Sequence, residues 1–246
     1  MLASQSPGNY SYIPSEGGRV PFCNAVVADA GYEIVRATLE RPLPYRDGFQ
    51  LIEQYLATLG RPRQALCGLE LRCAEPYTRD GFNEFNRGYA ALLQEWGLYA
   101  DGVGSTARTN IAPALSAPTE QVLFAFSYAV PADGNVRRTF VISGAAAGGV
   151  RVGETSPEAV REQVAYATGA IEERLKELGL GWEDTTDIVV YAPQNVEQSL
   201  HTEVVPRIGS AVLYGIRWYP SRAPVIGTEI EVGAHGVRQE IRIPVA

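Results

Sequence analysis

The chain has 246 residues, 46% of them hydrophobic and 20% charged, enough apolar side chain to fill the core of one large domain or two ordinary ones and too much for intrinsic disorder. A formal charge of -7 argues against a nucleic-acid or anionic-membrane partner, because phosphate binding needs clustered Lys and Arg. Three cysteines without a close pair and two distant histidines offer neither a disulfide framework nor a zinc site, so no metal is expected; the absence of a basic, apolar leader or a long apolar run predicts a cytoplasmic protein without a membrane partner.

In chain order, residues 1–20, rich in Ser, Gly and Pro, predict an irregular arm, followed by a strand over 33–39. Phe49, Ile52, Tyr55, Leu56 and Leu59 recur at helical spacing up to Gly60, where a left-handed cap would suit. A strand over 65–73 precedes a second helix, whose stripe of Phe82, Phe85, Tyr89, Leu92, Leu93 and Trp96 ends at Gly97 and reads as core rather than as a cofactor box. An arginine-bearing loop at 107–111 leads to strands over 121–130 and 138–143. The third helix opens on Thr155-Ser156-Pro157-Glu158, which supplies an N-cap hydroxyl, a first-turn proline and an acid at the positive end of the dipole; its stripe runs from Val160 to Leu178 and stops at Gly179. Beyond it are expected a strand over 187–192, a weaker helix over 196–205 stopped by Pro206, and strands over 211–218, 228–232 and 238–245, the last with Gln239, Ile241 and Ile243 on one face.

The two halves follow one order. Leu59-Gly60 matches Leu178-Gly179, Arg108 matches Arg222, and the strand at Phe124 matches the strand at Ile241, at offsets of 119, 114 and 117 residues. The expected division is an arm over 1–20, one unit over 21–131 and a second over 132–246, with the boundary at the turn-forming Pro131-Ala132-Asp133-Gly134. The fold class is α+β, each unit a mainly antiparallel sheet with two helices on one face. The opposite faces would be bare, so a homo-oligomer is expected.

The second half resembles the Rid (YjgF-like) family. Phe140-Val141-Ile142-Ser143-Gly144 resembles the family's strand ending in Ser-Gly; Gln163 and the Leu-x-x-Leu-Gly stop at 175–179 sit in the long helix; Asp187-Ile188-Val189-Val190-Tyr191 resembles the next strand; Ser221-Arg222-Ala223-Pro224-Val225 is similar to the arginine signature; and Glu240-Ile241 resembles the closing strand with its Glu. The first half is similar through Phe82-Asn83-Glu84-Phe85-Asn86 and Ala107-Arg108-Thr109-Asn110-Ile111, but its closing Gln121-Val122-Leu123-Phe124 has no Glu, while the second half has no obvious Asn in its second helix. The resemblance implies two tandem Rid-like (chorismate-mutase-like) units in a trimeric, barrel-like assembly, with pockets between units in which an Arg holds a carboxylate and water hydrolyses an acidic enamine or imine to a carbonyl compound and ammonia, without a cofactor. The two-unit layout most resembles the larger 2-aminomuconate-type deaminases of bacterial aromatic degradation. Rival readings are a chorismatase-like lyase or hydrolase, and a non-catalytic protein that binds small carboxylates.

On that resemblance Arg222 is the expected carboxylate grip and Glu240 the group that manages water and protons. Arg108 would supply a second cation or a pocket of its own, or else be a structural ion-pair residue. Ser143 and Gly144 would offer a hydroxyl and a close backbone N–H, and Asn86 an amide, against the alternatives of a turn glycine and a helix-surface amide. Cys67 and Cys73 read as buried small hydrophobes and His201 as a helix-surface residue.

Overall fold

A computed structural model describes residues 1–15, 20–134 and 137–245. The strands are β1 (Ala3–Gln5), β2 (Tyr10–Ile13), β3 (Ala25–Ala28), β4 (Tyr32–Pro44), β5 (Leu66–Arg72), β6 (Tyr99–Ala100), β7 (Val103–Gly104), β8 (Ala107–Pro113), β9 (Val122–Pro131), β10 (Phe140–Ala146), β11 (Asp187–Tyr191), β12 (Arg217–Tyr219), β13 (Ser221–Arg222), β14 (Glu231–Gly236) and β15 (Gln239–Ile243). The long helices are α1 (Tyr45–Thr58), α2 (Arg79–Glu95) and α3 (Pro157–Glu177). Their stops are as expected: Gly60, Gly97 and Gly179 all take positive φ, which costs a glycine nothing. At the start of α3 the Ser156 hydroxyl accepts from the Ala159 N–H (3.3 Å).

These strands build two large sheets, ordered β13-β8-β5-β9-β4-β15 and β1-β2-β3-β10-β14-β11-β12, while β6 and β7 form a small hairpin. Most pairings are antiparallel; β5 with β8, β4 with β15 and β11 with β12 are parallel. The middle of each sheet has the same plan. A strand leads through a helix to its near neighbour, and a later strand returns antiparallel between them: β9 between β4 and β5, β14 between β10 and β11. The counterpart of β9 is therefore β14 rather than β15, which corrects the match of Phe124 with Ile241.

The sheets do not divide where the chain does. β1, β2 and β3 join the sheet made mostly by the second half, and β13 and β15 join the sheet made mostly by the first. The expected irregular arm contains two of these strands, with Tyr10 wholly buried and its hydroxyl donating to the Leu66 carbonyl (3.0 Å). Three other expectations also change. Residues 107–113 are a strand flanked by β5 and β13, not a loop. Much of 211–218 is helical turn (Gly209–Tyr214). Pro206 lies in the first turn of the short helix Val205–Ile208, where its missing N–H has no helical partner to lose, so it continues the helical path instead of stopping it.

α1 and α2 cover the outer face of the first sheet, packing Phe49, Ile52, Leu56, Tyr89, Leu93 and Trp96 on Leu39, Leu69, Leu71 and Phe126. On the second sheet α3, with the broken helical stretch 197–208, packs Val164, Ala167, Ile171, Leu175, Val204 and Ile208 on Phe140, Ile142, Ile188, Val190 and Val232. The inner faces meet each other. At one end Cys23, Val26, Cys67, Ala107, Ala129 and Ile34 form an apolar layer between the sheets. The faces expected to be bare are thus closed within one chain.

At the other end the layer is ionic. Arg36 on β4 pairs with Glu70 on β5 (2.6 Å) and reaches Glu240 on β15 (3.4 Å); Glu240 bonds His235 on β14 (2.9 Å), which faces Asp187 on β11 (3.6 Å), itself paired with Arg217 on β12. Burial alone would raise the Glu70 carboxyl, but Arg36 outweighs it and holds the group down to about 2. The His235 hydrogen bond, opposed by partial burial and helped by His235 and Arg36 charge, holds Glu240 at about 2 as well. Both folded values lie below the unfolded 4.5, so their stabilisation is full above about pH 4.5 and is lost as pH falls towards 2. Acid titration of thermal unfolding should show this loss. Glu70→Gln, which strips the buried Arg36 of its main partner, should cost about 3–5 kcal/mol at pH 7, whereas the half-exposed Glu240→Gln should cost far less; equal costs would show that the chain is not organised around Arg36.

Candidate active site

Where β8 passes the end of β10, the two halves enclose a cavity of about 140 Å³, walled by Phe22, Phe82, Arg108, Asn110, Gly144, Ala146, Glu231 and the segment Ala223–Val225 with Thr228. Arg108 enters from the first half, Gly144 and Glu231 from the second.

A fault in the sheet makes the junction. The pairing of β10 with β14 slips between Ile142 and Ala145, so Ser143 and Gly144 leave the regular ladder. The polar atoms of Ser143 find partners outside the ladder. Ser143 N–H donates to the Asn24 carbonyl (3.0 Å), and its hydroxyl donates to the Cys23 carbonyl (2.6 Å) while accepting from the Arg108 N–H (2.8 Å). Gly144 has no side chain for a simple reason: a Cβ there would stand 1.8 Å from Glu231 Oε1.

Arg108 is buried, with its guanidinium over the rings of Phe22 (4.4 Å), Tyr89 (5.0 Å), Phe82 (5.4 Å) and Phe85 (5.7 Å). Its Nη1 donates to Asn86 Oδ1 on α2 (2.8 Å), which aims the fork. Burial lowers its pKa, with Tyr89 and Glu231 opposing, but an arginine remains a cation at neutral pH. Phe82, expected as plain core, is part of this cage and of the cavity wall.

Glu231 is buried, and its Oε1 has no hydrogen-bond partner within the described residues. Burial raises its carboxyl to about 8, even though Arg108, Arg72 and Arg174 all pull the other way. At pH 7 it is mostly a neutral acid poised to change state. The cavity therefore holds a fixed cation opposite a group that can give and take a proton near neutrality, between apolar walls. Such a pairing suits an anionic substrate and acid–base chemistry. Among the described residues no group of three or more His, Cys, Asp and Glu side chains could hold a metal ion.

Four of the six residues expected at the site, Arg108, Asn86, Ser143 and Gly144, meet here. Arg222 and Glu240 do not. Arg222 is about half exposed on β13 and pairs with Glu229 (3.0 Å), although Ala223 to Val225, just after it, help roof the cavity. Glu240 is the strut between the sheets already described, and a carboxylate held near 2 is a poor base at neutral pH. Taking the strand at 238–245 as the closing strand leaves Glu231 out of the expected site; the sequence signal for it is the second Glu, nine residues before Glu240, opening the alternation Glu231-Val232-Gly233-Ala234-His235. Cys67 and Cys73 are buried, and their burial raises both thiols, to about 12 for Cys73. His201 is exposed.

Two facing sheets thus enclose a small cavity lined by a buried arginine and a buried glutamate. The chain matches the 2-aminomuconate deaminase CnbZ family over residues 2–241 and belongs to that family. It is 37% identical, over 96% of both chains, to a 2-amino-5-chloromuconate deaminase of Comamonas testosteroni. Among solved structures it is similar to a chorismatase, with 14% identity, 87% of this chain and 77% of that one covered and a TM-score of 0.48. It is also similar to a YjgF/YER057c/UK114 family member from Mycobacterium tuberculosis, with 16% identity, 40% and 78% covered and a TM-score of 0.25. Both likenesses are too distant to carry a functional argument. No helix among the described residues is long and apolar enough to cross a membrane.

Two outcomes follow. Glu231, with a folded pKa near 8 and an unfolded one near 4.5, binds more protons folded than unfolded between those values, so its contribution to stability worsens as pH rises from about 4.5 to 8. Glu231→Gln should flatten that part of the stability profile and be the more stable protein at pH 8; a wild-type slope retained in the variant would place the titration elsewhere. Gly144→Ala should leave the fold standing, since the clashing atom is the movable end of Glu231, yet shift the carboxyl, visible as a displaced Glu231 side chain in a crystal structure of the variant.

Proposed function

We propose that this protein is a hydrolytic deaminase which converts an acidic enamine or imine of the 2-aminomuconate type to the carbonyl compound and ammonia in the Arg108–Glu231 cavity. The observation that carries this reading is the buried Glu231 carboxyl, with Oε1 lacking a hydrogen-bond partner among the described residues, lining one cavity with the buried Arg108 in a chain of the 2-aminomuconate deaminase family. Arg108 holds the substrate carboxylate, with Asn86 orienting its fork. Protonated Glu231 gives its proton to the enamine carbon, and the C–N unit becomes an iminium with an electrophilic carbon. The resulting Glu231 carboxylate takes a proton from water as the water oxygen bonds to that carbon. Glu231 then passes this proton to the amino nitrogen and accepts the hydroxyl proton as the C–N bond breaks. One water is consumed, one ammonia leaves, and Glu231 ends as it began.

The repeated plan of the two sheets supports reading the halves as diverged copies of one Rid-like unit, with the pocket formed between them inside one chain. The homo-oligomer expected from bare sheet faces loses that argument and is supported instead by exposed Leu213, Tyr214 and Trp218 around the open edge of β12; the trimer rests on the resemblance alone.

The test is ammonia release from freshly generated 2-aminomuconate, followed also by loss of the conjugated diene absorbance. Glu231→Gln should reduce turnover by at least about 100-fold, the usual scale of a lost general acid–base. Arg108→Ala should cut kcat/KM by at least about tenfold, as loss of a charge-assisted contact worth about 1.5–3 kcal/mol requires. Arg222→Ala and Glu240→Gln should stay within about threefold of wild type. Protein-dependent release that survives Glu231→Gln but not Glu240→Gln would reverse the assignment.

A further inference from the structure

Arg174 lies on α3, behind the strand that carries Ser143 and Gly144, and is not part of the cavity wall. Its Nη1 donates to the Ser143 carbonyl (2.7 Å), the acceptor that the β10 bulge leaves outside the ladder. Ser143 is in turn bonded to Asn24, to Cys23 and to the backbone of Arg108, and Gly144 touches Glu231. One guanidinium on the helix layer therefore holds the peptide on which both the cation and the acid of the cavity are set.

We propose that Arg174 is a positioning residue for this site: it pins the Ser143–Gly144 bulge from the helix side and places a fixed positive charge behind Glu231. The inference rests on the proposed deaminase reading only for its effect on turnover; its effect on Glu231 is independent of any substrate. The groups that bear on Glu231 are Arg108 on β8, Arg72 on β5 and Arg174 on α3, which favour the carboxylate, and its charge is also felt by Tyr191 on β11 and Cys73. Arg72 has Glu70 beside it (3.6 Å) and Arg108 serves the substrate, whereas Arg174 has no carboxylate partner within salt-bridge distance among the described residues. Its charge adds to the larger effects of Arg108 and Arg72 on Glu231, from the helix side of the bulge.

The experiment is an infrared pH titration of the protonated-carboxyl stretch in the intact protein, assigned to Glu231 by its loss in Glu231→Gln, run beside the pH profile of kcat/KM. Arg174→Gln keeps an amide donor for the Ser143 carbonyl and removes the charge. It should move the Glu231 midpoint up by about one pH unit and shift the profile of kcat/KM by the same amount, while Arg174→Lys should hold both within about half a unit of wild type. A midpoint unmoved in Arg174→Gln overturns the proposal, even if activity falls, because a purely structural role lowers activity without moving the titration. Should Arg174→Gln fail to fold, Arg174→Lys decides alone, and a shift beyond about half a unit overturns it. A wild type without turnover, but with the midpoint moving as described, removes the deaminase reading and leaves the inference about Arg174 standing.

Discussion

Everything at the cavity depends on the hydroxyl of Ser143. It joins two strands that belong to different sheets and different halves of the chain, giving its proton to the Cys23 carbonyl and receiving one from the Arg108 N–H. Facing sheets held only by apolar contact could slide, because hydrophobic attraction has no direction. A buried hydroxyl with both bonds made fixes one register between the sheets, since any slip would leave buried donors and acceptors unpaired. The ionic chain from Arg36 to Arg217 does the same at the far end of the layer. Between these two pins the sheets are locked, and Arg108 and Glu231 stand where the register puts them.

That register explains how an acid remains neutral next to cations. The attraction of three arginines would normally ionise a carboxyl completely, as Arg36 does for Glu70. The difference is contact. Arg36 hydrogen-bonds Glu70 through two nitrogens, which satisfies the carboxylate and compensates its lost hydration. Glu231 makes no hydrogen bond to any of its arginines within the described residues and keeps one oxygen bare, so burial prevails. The same pair of residue types thus gives a permanent strut in one place and a titrating acid in another.

Much of this was legible in the sequence. The three long helices, their glycine stops and the Ser156 cap follow from spacing and local hydrogen bonding, which do not depend on the rest of the chain. Arg108, Asn86, Ser143 and Gly144 were legible because each sits in a short pattern similar to a known family. What was not legible was pairing between distant segments. β1, β2 and β15 each join a sheet built mainly by the other half, and a strand's partner is set by tertiary contact rather than by its own residues. Glu240 and Glu231 both stand in alternating strands, and it is the topology that puts β14, rather than β15, in the middle of its sheet.

The division of family features between the halves, Arg and Asn in the first and Ser-Gly and Glu in the second, has a physical reading once the cavity is seen to lie between them. A pocket at a junction needs its cation from one side and its acid from the other, so neither half has to carry both. If the halves descend from one unit, the reciprocal pocket would have needed Arg222 with an acid on β9. That strand carries none, from Val122 to Pro131, and Arg222 has turned to Glu229 instead. Covalent linkage of two units removes the equivalence that identical subunits impose. On that reading one junction would carry the proposed chemistry while the other is given over to packing, with Arg222 held in its ion pair with Glu229 at the surface.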